Sequence, residues 1–247
     1  MRDVPPDYFE HLDAVEERHW WHLGMRAVSA ALLGERLQRG GAVLDAGCGT
    51  GGFLRWTLLQ GPFERACGLD PSAEALELAR RRLPTAELVP ATLAGVPFDD
   101  LSFDLVVSND VLQHVPEPDV TASLRELRRV LRPGAALLVR TNGARTARSE
   151  RVDWRAYDSG TLVAALGTAG LETERVTYAN LVGSALDAAR RRRPHAPTTE
   201  THGIPALPPA PVGAVMLRLL RAEARYLARP GRRVPYGHTL LAVAGPA

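Results

Sequence analysis

With 247 residues, 45% of them hydrophobic and 23% charged, the chain can fill one enlarged α/β domain, and its composition excludes a disordered, collagen-like or coiled-coil protein. Its 30 basic and 28 acidic side chains leave a net charge of +2, too balanced to call for a nucleic-acid or membrane-surface partner. All of those basic residues are arginine, so lysine Schiff-base and P-loop chemistry are excluded, and two cysteines, Cys48 and Cys67, are too few for a disulfide scaffold or a zinc knuckle.

The first residues carry prolines and acids where a signal peptide needs an apolar core, and no run approaches the roughly 18 apolar residues of a membrane span; the expectation is a soluble, cytoplasmic chain. Residues 8–39 place apolar and aromatic side chains at helical spacing and predict two helices, a lid over residues 1–40. From Ala42 short apolar runs alternate with amphipathic stretches: strand 42–46, helix 51–60, strand 66–69, helix 72–82, strands 86–89 and 103–108, helix 119–131, strand 135–140. Such alternation makes a parallel sheet with crossover helices, a doubly wound α/β fold. Ser72 is the expected N-cap of one helix, and Arg132-Pro133-Gly134 is expected to stop another. A helix at 158–169 and a strand at 171–178 continue the pattern. Residues 179–237 break it, with a helix ending in Arg190 to Arg193, a Pro-rich loop 194–211 and a helix near 212–229, before a last strand from His238.

The most informative segment is Val43-Leu44-Asp45-Ala46-Gly47-Cys48-Gly49-Thr50-Gly51-Gly52-Phe53. A buried strand runs into a glycine turn and then a helix, so the backbone can take positive φ and a ligand can approach it without a Cβ in the way. Gly47, Gly49 and Gly52 satisfy the dinucleotide pattern, but Asp45 lies where a pyrophosphate would be repelled and a cationic group welcomed.

VLDAGCGTGGF resembles the first motif of the class I S-adenosylmethionine (SAM) dependent methyltransferases. Gly68-Leu69-Asp70 resembles the end of their second strand, whose acid grips both ribose hydroxyls, and ATLAGVPFDDLSFDLVVSNDVLQHV with LRELRRVLRPGAALLV resembles their adenine loop, fourth and fifth strands. His19-Trp20-Trp21-His22-Leu23-Gly24-Met25-Arg26 is similar to a His-Trp-Trp-x-x-Gly-x-Arg signature of one small-molecule subgroup close to the type 11 enzymes. The resemblance implies one Rossmann-like domain over 1–247 with a seven-stranded sheet whose last strand is antiparallel. A SAM-binding core would occupy 41–178, a helical insertion 179–237 and the last strand 238–247. One position departs from the pattern: Thr92 stands where the family usually has an Asp that accepts from the adenine amino group.

The resemblance implies SAM as cofactor, S-adenosylhomocysteine as product and a small-molecule acceptor methylated on O or N, with a natural product or glycoside as the expected class. Asp45, Gly47, Gly49, Gly51, Asp70, Thr92, Leu93 and Asn109 are the expected cofactor-binding residues, with Arg26 a guanidinium fork for the methionine carboxylate or else part of a solvated helix face. Trp20, Trp21 and Tyr157 are candidate acceptor walls, the tryptophans being equally suited to core packing. His114, just past the fourth strand, is the candidate general base, with helix capping as the plainer role. No Asn-Pro-Pro-Tyr follows that strand, which disfavours nucleobase methylation, and no His/Asp/Glu spacing suggests a metal. Arg190 to Arg193 reads as a solvated loop edge, not a nucleic-acid patch. Two other readings are a SAM-binding cyclase or binding module, and a nicotinamide oxidoreductase, for which Asp45 is a poor fit.

Overall fold

The computed structural model describes residues 7–143, 155–191, 200–201, 204–205 and 207–247. Three helices precede the sheet where the spacing predicts two: α1 (Tyr8–Val15), α2 (Trp20–Leu33) and the single turn α3 (Arg36–Arg39). The alternating part follows as β1 (Gly41–Ala46), α4 (Gly52–Leu58), β2 (Phe63–Asp70), α5 (Ala73–Arg82), β3 (Glu87–Pro90), β4 (Phe103–Asn109), α6 (Val120–Arg129), β5 (Leu131–Asn142), α7 (Ser159–Thr168) and β6 (Leu171–Ala179). Then come α8 (Leu181–Arg191), α9 (Ala210–Leu227) and β7 (Thr239–Pro246). A two-residue ribbon, Glu200–Thr201 with Ile204–Pro205, lies within the stretch expected to be loop; Arg192, Arg193 and much of 194–211 lie outside the described residues.

The sheet order is β3-β2-β1-β4-β5-β7-β6, with β1 to β5 parallel and β7 antiparallel to both its neighbours. The seven-stranded, doubly wound reading therefore holds, antiparallel last strand included. The central strands are near-continuous apolar runs, Val43-Leu44 in β1 and Leu105 to Val107 in β4, because helices cover both faces of the sheet and neither face meets water.

Local signals set most of the boundaries. Ser72 caps α5, its hydroxyl accepting the Ala75 N–H at 3.2 Å, and Asp158 and Thr161 form a reciprocal capping box on α7. One expectation needs correcting. Arg132-Pro133-Gly134 does not stop α6, which ends at Arg129, but forms a bulge inside the start of β5, between the pairs Phe103–Leu131 and Leu105–Ala136. Gly134, at φ +76, makes that bend without strain.

The insertion docks on the N-terminal helices. A Cβ at Gly24 of α2 would come within 2.8 Å of the Cβ of Leu220 on α9, a side chain that is itself buried, so glycine is what lets the two helices meet. Gly24→Val should lower stability by about 1–3 kcal/mol through overpacking. A double-mutant cycle with Leu220→Ala, read by thermal denaturation, should show strong coupling; additive effects would place the constraint elsewhere. No helix among the described residues is long and apolar enough to cross a membrane.

Candidate active site

The strand order reverses between β1 and β4, which opens a crevice at their carboxyl ends, the usual place for a ligand in a doubly wound sheet. One wall is the glycine loop. Gly47, Gly49 and Gly51 all have positive φ, at +93, +52 and +81, and a Cβ on Gly47 would run into Val111 in the turn after β4. Gly49 instead presents bare backbone, with no side-chain atom closer to its Cβ position than Leu12 Cδ2 at 3.9 Å.

Asp45 lies beneath this loop, 1% exposed, and neither carboxylate oxygen accepts a hydrogen bond of normal geometry. Burial, which the positive charge of Arg140 only partly offsets, pushes its pKa from the ordinary carboxylate range up to about 7. A buried carboxylate without a donor is expensive unless a ligand supplies one. Asp70, at the end of β2, is buried too, and its pKa is raised by burial; its Oδ2 accepts the Gly49 N–H at 3.0 Å and its Oδ1 the Ser72 N–H at 2.9 Å. Each oxygen keeps a further lone pair for a ligand. The next loop brings buried Leu93 and exposed Thr92 alongside, Ala91 donating to the Asp70 carbonyl at 3.3 Å.

The N-terminal helices close over the loop. Glu16, buried between α1 and α2, accepts from the Thr50 hydroxyl at 2.5 Å and pairs with Arg82, which also reaches Asp13. Burial outweighs these partners and raises the Glu16 pKa. Arg26 is buried as well. Its two terminal nitrogens grip Glu17 at 2.7 and 3.0 Å and one of them reaches the Gly52 carbonyl at 3.1 Å, so the fork expected for a methionine carboxylate is closed on a neighbouring acid.

The other wall is β4, β5 and α2. Asn109 ends β4, and neither the oxygen nor the nitrogen of its buried amide has a partner. Beside it in register, Arg140 of β5 donates through Nε and Nη2 to Asp110 at 3.0 and 2.6 Å and lies 4.9 Å from the Trp21 ring centre and 6.0 Å from that of Phe53. His114 ends the short turn after β4 and is exposed; the protein behind it lowers its pKa and Asp110 opposes that, which favours a neutral imidazole at neutral pH. His22 of α2 is held down to about 3 by burial and by Arg140. Trp20 packs against the core and lies 5.6 Å from the ring of His19, whose Nδ1 caps α2 by accepting the Trp21 N–H. Tyr157, buried, bridges Gly143 at the end of β5. Asp158 is the N-cap of α7. Among the described residues no cluster of His, Cys, Asp and Glu is placed to hold a metal.

Glu16, Glu17, Arg82 and Arg140 were not singled out from the sequence. Arg140 alone left a signal there, a charged residue inside the apolar run Leu137-Leu138-Val139-Arg140. The others pair with residues far along the chain or in unremarkable acidic stretches.

A sheet of this order, with an acid under a glycine loop and a second acid at the end of the next strand, suits a ligand with a cationic group and vicinal hydroxyls better than a pyrophosphate. Residues 44–139 match the model of the methyltransferase domain family, and this stretch of the chain is similar to the class I SAM-dependent methyltransferases. The chain is 37% identical over 132 residues to a malonyl-[acyl-carrier protein] O-methyltransferase of Enterobacter lignolyticus, covering 53% of this chain and 50% of that one. It is also 37% identical over 111 residues to a demethylmenaquinone methyltransferase of Listeria welshimeri, covering 41% and 45%. The chain thus spans about half the length of the curated relatives it matches. A geranyl diphosphate methyltransferase solved with SAM superposes with a TM-score of 0.61 at 17% identity, over 98% of this chain and 92% of that one, which shows a shared fold.

The raised pKa of Asp45 has a sign that can be tested. The folded chain keeps a proton there up to about pH 7 that the unfolded chain has already lost, so this group makes stability fall as pH rises from the ordinary carboxylate range to about 7. A cationic ligand favours the ionised form and must release that proton, so affinity for S-adenosylhomocysteine should rise from pH 5.5 to 7 and level off above. Calorimetry in buffers of different ionisation enthalpy should show proton release at pH 6 that disappears in Asp45→Asn; no proton linkage in the wild type would contradict this account.

Proposed function

We propose that the protein transfers the methyl group of SAM to an oxygen or nitrogen of a small molecule, with a natural product or a glycoside as the acceptor class. The observation that carries this reading is the buried carboxylate of Asp45, which accepts no hydrogen bond of normal geometry, beneath a glycine loop and beside Asp70. The residues present fit SAM: Asp45 would face its ammonium, Asp70 its ribose hydroxyls, and Leu93, with the neutral Thr92, its adenine. Bound there, SAM supplies a methyl group already activated on a sulfonium, so the protein has mainly to align the acceptor and exclude water.

His114 takes the proton that an attacking hydroxyl or amine gives up, a task suited to a neutral, accessible imidazole. Asn109 offers its unpartnered amide to the cofactor, while Trp20, Trp21 and Tyr157 wall the acceptor. The carboxylate of Asp45 counts equally against a nicotinamide dinucleotide. The two relatives are named for acceptors as different as a malonyl-[acyl-carrier protein] and demethylmenaquinone, whereas the family match in this chain is confined to a core, residues 44–139. Acceptor choice therefore resides in what lies outside it, α2 and the insertion at 179–237. Incubation with SAM labelled in the methyl group and fractionated extracts of metabolites should move the label into an extractable product. Tight S-adenosylhomocysteine binding without label transfer to any fraction would favour a cyclase or a binding module.

A further inference from the structure

Most of the exposed large apolar side chains among the described residues gather on α8 and α9; Leu59, Leu101 and Val163 stand singly elsewhere, and Leu207 lies just ahead of α9. On α9, Val212, Leu219 and Tyr226 repeat every seven residues with Val215 between, which makes one exposed stripe beside the face that docks on α2. At the head of α8, Leu181, Val182 and Leu186 are exposed too. The two helices meet at Glu223, the only acid on α9, which turns inward and accepts the N–H groups of Asn180 and Leu181 at 2.7 and 3.1 Å. Because β6 ends at Ala179 and runs parallel to β5, this apolar surface lies at the same end of the sheet as the candidate site.

Along the other exposed side of α9 runs a row of arginines, Arg218, Arg221 and Arg225, none of which forms an ion pair among the described residues. The outward half of this helix thus combines an aliphatic stripe with an uncompensated basic row. We propose that the α8–α9 face docks on an anionic lipid surface. The stripe would rest at the boundary between headgroups and acyl chains, and the arginine stems would lie along it with their guanidinium groups on lipid phosphates. An acidic protein would answer the arginines equally well, but the stripe is mainly aliphatic and carries no amide or carboxylate with which to read a polypeptide, whereas a bilayer asks only for apolar area beside positive charge. The whole-chain charge of +2 concealed this surface, because acids elsewhere cancel it.

The test reads lipid binding alone and is independent of methyl transfer. Full-length protein is sedimented with sucrose-loaded vesicles of phosphatidylcholine containing one-third phosphatidylglycerol, and with phosphatidylcholine alone, at 100 and 500 mM salt, between which the Debye length falls from about 10 Å to less than roughly half of that. Binding is expected to the anionic vesicles at low salt, at least tenfold weaker at high salt or on neutral vesicles. R218E/R221E/R225E should lose it at least tenfold, and Val215→Ser with Leu219→Ser should weaken it several-fold. These side chains are exposed, and unchanged melting temperatures would show that the variants fold. Failure of the wild type to bind anionic vesicles overturns the proposal, as does binding that survives both sets of substitutions. Self-association or capture of an acidic protein that the same substitutions abolish, without vesicle binding, would assign the face to a protein partner and overturn it equally.

Discussion

His114→Ala should lower the turnover number by roughly 10²–10⁴ while leaving S-adenosylhomocysteine affinity near that of the wild type. The imidazole ends the short turn after β4, exposed and beside the crevice, and its pKa is lowered by the surrounding protein, so at neutral pH it is ready to accept a proton. Because the residue is exposed, its removal leaves no buried cavity, and stability should change by less than about 1 kcal/mol. Single-turnover kinetics in the variant, set beside calorimetry and a thermal melt, separate the two roles weighed for it. Near-normal turnover with a lowered melting temperature would assign His114 to capping or packing.

Asp70→Ala should weaken both SAM and S-adenosylhomocysteine ten- to a hundredfold, equivalent to roughly 1.5–3 kcal/mol for lost charge-assisted hydrogen bonds. Two effects combine. The ribose diol loses its acceptor, and the N–H groups of Gly49 and Ser72 lose the oxygens that hold the glycine loop against α5. Asp70→Asn divides them, since the amide oxygen can still accept one backbone N–H while the charge is gone, and its affinity should fall between wild type and Asp70→Ala. Affinity unchanged in Asp70→Ala would remove this residue from the cofactor site.

Most of the fold was legible because its signals are local. Ser72 followed by an amphipathic run is a capped helix wherever it occurs, and Val43-Leu44 leading into Gly47 reads as a buried strand entering a turn from those residues alone. The bulge at Arg132-Pro133-Gly134 was misread because proline and glycine end a helix and distort a strand by the same chemistry, and only the pairing of Leu131 with Phe103 distinguishes the two. The glycine loop and its two acids were legible for the same local reason: they form one continuous loop with an acid at each neighbouring strand. The rest of the site was not. Glu16 meets Thr50 and Arg82, and Arg140 finds Asp110 and the ring of Trp21, pairings between distant segments that no spacing announces, while Glu17 closes the fork of Arg26 across the turn between α1 and α2. The packing of Leu220 on Gly24 belongs with them, since a glycine inside a helix does not say which helix it makes room for.

Calorimetric titration of the wild-type protein at pH 7.5 with S-adenosylhomocysteine, and separately with NAD, tests the central claim most directly. The account predicts saturable one-to-one binding of S-adenosylhomocysteine in the micromolar range or tighter, with about 8 kcal/mol of binding free energy or more, and no measurable heat with NAD. Binding of NAD with none of S-adenosylhomocysteine would contradict it, because the buried carboxylate of Asp45 would then lie beneath a pyrophosphate.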